Sequence, residues 1–134
     1  MADLIYIQDN GKLAFGDYTL AAKAKADGFE FGGDLYKVKT FKEITKLERN
    51  GMFVYESVPG TKVTDFSVND KELSFTVEGT TDTQITLELE AEKEFKLFID
   101  GTNIGKMKTN LGGKLVFSVQ LAEGRGSAVK VVRQ

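Results

Sequence analysis

The sequence predicts an all-β protein, an antiparallel β-sandwich with an additional N-terminal β-rich segment, and three observations lead to that fold. Apolar and polar residues alternate in short runs through residues 60–134. Turn residues separate these runs at roughly ten-residue spacing, which is typical of sandwiches and barrels. The only proline, Pro59, precedes a glycine and marks a joint. We therefore expect an N-terminal segment, residues 1–59, packed on a seven-stranded sandwich-like part, residues 60–134, in one compact domain.

The first segment is dense in apolar residues and less regular than the second. Its strand candidates are "LIYI" at 4–7, "KLAFGDYTL" at 12–20, "FEF" at 29–31 and "LYKVKT" at 35–40. The stretch 20–27 is rich in Ala and Lys and has good helix propensity, but a helix of that length is marginal alone.

The pair Asn50-Gly51 is the strongest hairpin signal in the chain, because both residues tolerate the positive φ of a tight turn. We predict a hairpin that joins "TKLER" to "MFVYES". The alternative is one or two helical turns over 41–49, since Phe41, Ile44 and Leu47 are spaced by three residues.

The second segment resolves into seven alternating runs whose inward faces are apolar. Turn residues lie between them, including Asn69-Asp70, Asp100-Gly101 and 110–113. The runs are 63–68, 72–78, 84–90, 94–99, 104–109, 114–121 and 128–133.

A short Lys-Leu-x-Phe pattern occurs at 12–15 and 114–117, and as "KELSF" with one inserted residue at 71–75. The intervals between copies are unequal, so a solenoid or propeller repeat is excluded. We interpret the pattern as a common sequence for the residues that follow a turn and begin a strand, with lysine outside and Leu and Phe inside the sandwich. An internal duplication is the alternative.

The charge is balanced along the whole chain, with 18 basic and 20 acidic residues. Neither segment has a basic excess that would attract nucleic acid or an anionic membrane. We therefore expect no nucleic-acid partner and no membrane association.

The chain contains neither Cys nor His. Thiolate chemistry, disulfides, imidazole-based catalysis and the commonest zinc sites are therefore excluded. No calcium-loop or phosphate-loop motif occurs, so we expect no cofactor and no metal.

The N-terminus has a four-residue apolar run preceded by Asp3 rather than by a basic residue. This is not the pattern of a secretory signal peptide, so the expected location is the cytoplasm by default, with export by another route left open.

Two sets of residues in the first segment are candidates for ligand binding. All four tyrosines, Tyr6, Tyr18, Tyr36 and Tyr55, precede residue 56, and tyrosine rings suit stacking on sugars or on a protein partner. Four of the carboxylates in the same segment are candidates for a glycosidase-like pair. They are Glu30, Asp34, Glu43 and Glu56.

Three apolar residues interrupt the polar outward face of the second segment: Phe98, Val116 and Val132. We predict that they form a patch covered by residues 1–58 or by a second copy of the protein, because soluble monomers seldom expose large apolar areas. Phe98 is the binding candidate of this set, and the binding candidates of the first segment are Tyr36, Tyr55 and Asp34.

The stretch "GDLYKVKTFKEITKLERNGMFVYESVPGT", 33–61, with "GKLAFGDYTLAAKAK" before it, resembles short clostridial proteins that carry the genome label endosialidase. The likeness extends over most of the chain and is strongest in its N-terminal half. It implies a small clostridial protein and assigns no catalytic residue.

Two functions follow as hypotheses. The first is a non-enzymatic β-sandwich that binds a ligand or assembles with itself. The second is a carbohydrate-active enzyme or accessory domain, directed at sialic acid or another glycan, that uses the carboxylates and tyrosines of the first segment. Partners would be a second copy of the chain or a glycan.

Overall fold

A computed structural model describes residues 3–134, and these form an antiparallel β-sandwich with thirteen strands. Within residues 3–134 there is no helix, and hence none with the length and apolarity to cross a membrane. The strands are β1 Ile5–Ile7, β2 Leu13–Phe15, β3 Ala24–Phe31, β4 Asp34–Phe41, β5 Ile44–Arg49, β6 Met52–Val58, β7 Lys62–Val68, β8 Glu72–Glu78, β9 Thr83–Glu88, β10 Glu94–Ile99, β11 Thr102–Lys108, β12 Lys114–Val119 and β13 Ser127–Arg133.

Two sheets build the sandwich. Sheet A has seven strands in the order β1-β2-β7-β8-β13-β10-β11, and sheet B has six in the order β12-β9-β6-β5-β4-β3. The all-β antiparallel sandwich expected from the alternating runs is thus confirmed, and each of the seven runs of the second segment contributes one strand.

Both sheets combine strands from the two sides of Pro59. Strand β2 pairs with β7 in sheet A, and β6 pairs with β9 in sheet B. The boundary at residue 59 therefore separates strands along the chain without separating them in space.

The predicted hairpin at Asn50-Gly51 is confirmed, and the helical alternative over 41–49 is wrong. Residues 44–49 form β5, which pairs with β6, and Asn50 and Gly51 take φ values of 52° and 80°. The spacing by three was misleading because Leu47 faces the core, whereas Phe41 and Ile44 lie opposite each other on the neighbouring strands β4 and β5.

The helix propensity of residues 20–27 is likewise overridden by the sheet. From Ala24 the chain runs as β3, paired with β4 at the edge of sheet B. Cross-strand hydrogen bonding decides the conformation here because the stretch is too short to hold a helix alone.

The core lies between the sheets and contains a cluster of four aromatic rings. Tyr55 of sheet B packs edge-on against Phe15 and Phe75 of sheet A, at ring-centre distances of 5.3 and 5.5 Å. Phe66 contacts Phe15 and Phe75 in turn. Because Phe15 and Tyr55 come from the first segment and the other two from the second, the cluster joins both parts of the chain in one core.

The three copies of the Lys-Leu-x-Phe pattern begin β2, β8 and β12, as the turn-exit interpretation predicts. In each copy both Leu and Phe are buried, at positions 13 and 15, 73 and 75, and 115 and 117.

Candidate functional site

The two tyrosines predicted to bind a ligand lie in the core. Tyr55 is fully buried and Tyr36 is nearly so, with its ring 6.1 Å from that of Phe31. Each alternates with outward residues of its strand and therefore points into the sandwich. Neither presents a stacking surface to solvent, which corrects the prediction drawn from tyrosine chemistry alone.

The Tyr55 hydroxyl belongs to a buried hydrogen-bond network. It lies 2.8 Å from Thr61 Oγ1, and Ser57 Oγ lies 2.7 Å from the same atom. Complete burial raises the pKa of the Tyr55 phenol above its ordinary value, and the neighbouring hydroxyls of Thr61 and Ser57 offset part of that rise. The arrangement satisfies polar groups inside the core, so its role is structural.

Asp34, the third candidate, connects two turns of sheet B. Asn50 Nδ2 donates to Asp34 Oδ1 at 2.8 Å, and the Leu35 amide donates to Asn50 Oδ1 at 2.9 Å. These bonds hold the turn before β4 against the β5–β6 turn.

The same carboxylate borders a cavity of about 590 Å³ at one end of the sandwich. The side chains of Val54, Phe66, Leu73 and Leu89 contribute apolar lining. Its two glutamates already have cationic partners: Glu88 pairs with Lys114, and Glu90 lies 2.7 Å from Arg133. Neither Glu88 nor Glu90 is one of the four carboxylates that the sequence offers for a catalytic pair.

Phe98, the fourth candidate, lies at a second cavity of about 500 Å³ on the outer face of sheet A. Its floor is made of short side chains on adjacent strands, Ser74 and Thr76 of β8 and Ala128 of β13. Longer side chains, including those of Phe98, Lys12, Asp65 and Lys130, also line the cavity. We call this depression the Phe98 trough.

A β-bulge directs Asp65 to the trough. The register of β7 with β8 shifts between Thr64 and Ser67, and Asp65 there has a φ of 53°. Such a backbone is rare for a residue other than glycine and is retained where surrounding bonds hold it.

Residues from the loop after β1 supply those bonds. The Asp65 amide donates to Gln8 Oε1 at 2.6 Å, and Asn10 Nδ2 donates to Asp65 Oδ1 at 2.8 Å. Gln8 Nε2 also donates to Oδ1, at 3.3 Å. Within residues 3–134 both of these side-chain bonds go to Oδ1 of Asp65, and Oδ2 accepts none.

Sequence reasoning found Phe98 and missed the rest of the trough. Ser74 and Thr76 are visible as small polar residues at alternate positions of β8, which is also the ordinary composition of a solvated strand face. Nothing in the sequence marks the positive φ of Asp65, since it depends on hydrogen bonds from residues more than fifty positions away.

The predicted patch of Phe98, Val116 and Val132 is wrong as a single surface. Phe98 and Val132 lie on neighbouring strands of sheet A, whereas Val116 lies on β12 of sheet B. The three residues therefore occupy two opposite outer faces of the sandwich, and no one segment covers them.

Among residues 3–134 no group of three or more acidic side chains is placed to hold a metal ion.

Searches of protein-family models, curated proteins and solved structures found no match to this chain. The resemblance to clostridial proteins with the endosialidase label therefore stays a prediction.

Proposed function

We propose that this protein is a non-enzymatic binding module that holds a glycan in the Phe98 trough. The observation that carries the proposal is the shape and chemistry of the trough: a floor of short side chains, one aromatic residue beside it and a fixed carboxylate at its border.

The floor supports a ligand that lies flat on the sheet. Ser74 faces Lys130, Thr76 faces Ala128, and all four point outward from two adjacent strands. The hydroxyls of Ser74 and Thr76 both donate and accept hydrogen bonds, as sugar hydroxyls do.

Phe98 supports recognition of an apolar surface within a polar ligand. It is half-buried and lies opposite Lys130 on the neighbouring strand. An aromatic ring beside hydrogen-bonding groups matches a pyranose, which has an apolar C–H face and a rim of hydroxyls.

Asp65 supports specificity, because a carboxylate fixed by Gln8 and Asn10 needs no rearrangement before it accepts bonds from a ligand. Lys130 lies 3.5 Å from Glu72, so part of its charge is already balanced within sheet A.

A glycan array of neutral and sialylated structures tests the proposal. We expect binding by the unaltered protein and a loss of about tenfold or more in Phe98→Ala. Phe53→Ala is the matched control, since Phe53 is a half-buried aromatic residue on the outer face of sheet B. Absence of binding to any glycan, or an equal loss in the control, would contradict the proposal.

The enzymatic alternative predicts release of a shorter product when the array-positive glycan is incubated with protein. We expect the glycan to be recovered intact. The cytoplasmic location and the lack of a nucleic-acid partner stay predictions, which cell fractionation and mobility-shift titration with DNA and RNA would check.

A further inference from the structure

The four edge strands of the sandwich differ in how they are protected from pairing with another chain. An edge strand carries unpaired N–H and C=O groups, and natural proteins block it by shortness, bulges or charged side chains. Strand β1 of sheet A has only three residues. The remaining edges are β11 of sheet A and β3 and β12 of sheet B.

Two of those three edges are blocked. In β11 the pairing register shifts near Gly105, whose φ is 132°, and Lys106 and Lys108 follow. In β3 the register shifts between Ala26 and Phe29, around the charged Asp27.

Strand β12 is six residues long, has no bulge, and carries a charged side chain only at its first residue, Lys114. It pairs with β9 over six consecutive residues without a register shift. After Lys114 its outward residues are Val116 and Ser118, both uncharged and both exposed.

Hydrogen bonding at the start of β12 shows which backbone groups face the open edge. The Leu89 amide donates to the Gly113 carbonyl at 2.7 Å, so the odd-numbered residues of this strand direct their polar groups toward β9. The groups of Lys114 are taken by Asn110, through its backbone N–H and its side-chain oxygen. Val116 and Ser118 are left with N–H and C=O groups directed away from sheet B.

We propose that a second copy of this chain pairs antiparallel with β12 through this edge. A two-fold axis beside Phe117 places Val116 opposite Ser118 of the partner subunit. It likewise places Ser118 opposite Val116 of the partner subunit. Each such pair exchanges two backbone hydrogen bonds. Because directly opposed residues lie on the same face of a sheet, the inward face of one sheet B continues into that of the other.

The side chains fit a second copy of the same strand. In this register Lys114 lies opposite Gln120 of the partner subunit, so no two like charges are directly opposed. Val116, which is 44% exposed in the single chain, gains Ser118 of the partner subunit as a cross-strand neighbour. The interface is closed by its two-fold axis, and the product is a dimer rather than a fibre.

The contact is short, and interfaces below about 1,200 Å² belong to weak and transient complexes. Sedimentation velocity from micromolar to millimolar protein is therefore the test. We expect a monomer–dimer equilibrium whose Kd rises about tenfold or more in Val116→Lys, because an outward charge at the edge opposes pairing.

Two further variants make the result specific. Val116→Pro removes an N–H that faces the open edge while leaving the ladder to β9 intact, and it should weaken the dimer as Val116→Lys does. Ile104→Lys alters an exposed apolar residue of β11 and should leave the Kd unchanged. Thermal melts of each variant at low concentration establish that it is folded.

A protein that stays monomeric up to millimolar concentration would overturn the proposal. So would a dimer that Ile104→Lys weakens as much as Val116→Lys does, or one that both Val116 variants leave unchanged. Growth beyond the dimer would overturn the two-fold arrangement.

Discussion

The hydroxyl of Tyr55 lies 2.8 Å from Oγ1 of Thr61, and this contact joins the middle of β6 in sheet B to the residue that precedes β7 in sheet A. Ser57 meets the same Thr61 atom, while Thr45 Oγ1 accepts from the Thr61 amide at 3.0 Å and donates to its carbonyl at 2.9 Å. Thr61 is therefore the centre of a buried polar network at the crossing between sheets.

Removing the Thr61 hydroxyl should lower the free energy of unfolding more than removing the Tyr55 hydroxyl. Thr61→Val leaves the hydroxyls of Tyr55 and Ser57 without their common partner, at about 1–3 kcal/mol for each buried group. Tyr55→Phe leaves Thr61 bonded to Ser57 and should cost only about 1 kcal/mol. Urea denaturation measures both, and equal costs would show that Thr61 is not the centre.

Stability should fall at alkaline pH because of Tyr55. Its pKa is raised on folding, so its contribution to stability is complete below the unfolded value of about 10 and is lost as pH rises above it. The expected slope is about 1.4 kcal/mol per pH unit. Denaturation measured between pH 8 and about 11 checks this, and Tyr55→Phe should abolish the contribution.

Gly16 should tolerate no side chain. Its φ is 96°, and a Cβ atom there would lie 2.4 Å from the Thr61 carbonyl oxygen. We expect Gly16→Ala to cost about 3 kcal/mol or more, from strain at positive φ and the backbone clash together.

Gly28→Ala is the control for that effect. Gly28 also has positive φ, at 69°, but a Cβ atom there meets nothing within 4 Å. We expect Gly28→Ala to lower the free energy of unfolding by about 1–2 kcal/mol, from the positive φ alone. Equal melting temperatures for the two variants would contradict the close approach at Gly16.

Lysines face one another across three strands on the outer face of sheet B. Lys39 lies directly between Lys25 and Lys46, whereas Lys37 lies opposite Glu48. Lys39→Glu should therefore raise stability by about 0.5–1 kcal/mol, and Lys37→Glu should lower it by a similar amount. The difference should shrink in about 1 M salt, where the Debye length falls to roughly 3 Å. A Lys39→Glu protein that is less stable than the unaltered one would contradict the expected repulsion among Lys25, Lys39 and Lys46.

Alternation and turn chemistry were enough to predict the fold class, the strands of residues 60–134 and the Asn50-Gly51 hairpin. They also predicted that Leu and Phe of the repeated pattern point inward. These features depend on neighbours in the sequence, and local rules describe them well.

The candidate site was harder to predict because it depends on which strands become neighbours. Tyr55 has the composition of a binding residue, and only the register with Leu47 and Leu87 shows that it points into the core. Phe98 and Val116 look equivalent in the sequence, and the assignment of their strands to different sheets separates them. Hydrogen bonds from Gln8 and Asn10 fix the position of Asp65, and a local sequence pattern does not reveal bonds between residues so far apart in the chain.

The most direct test of the binding site is a nuclear magnetic resonance titration of ¹⁵N-labelled protein with the glycan that gives the strongest array signal. We expect the backbone amide signals of Ser74, Thr76, Ala128 and Lys130 to shift, and we expect these shifts to be lost in Phe98→Ala. Shifts confined instead to the end of the sandwich around Asp34 and Arg49, or no shifts at all, would contradict binding in the Phe98 trough.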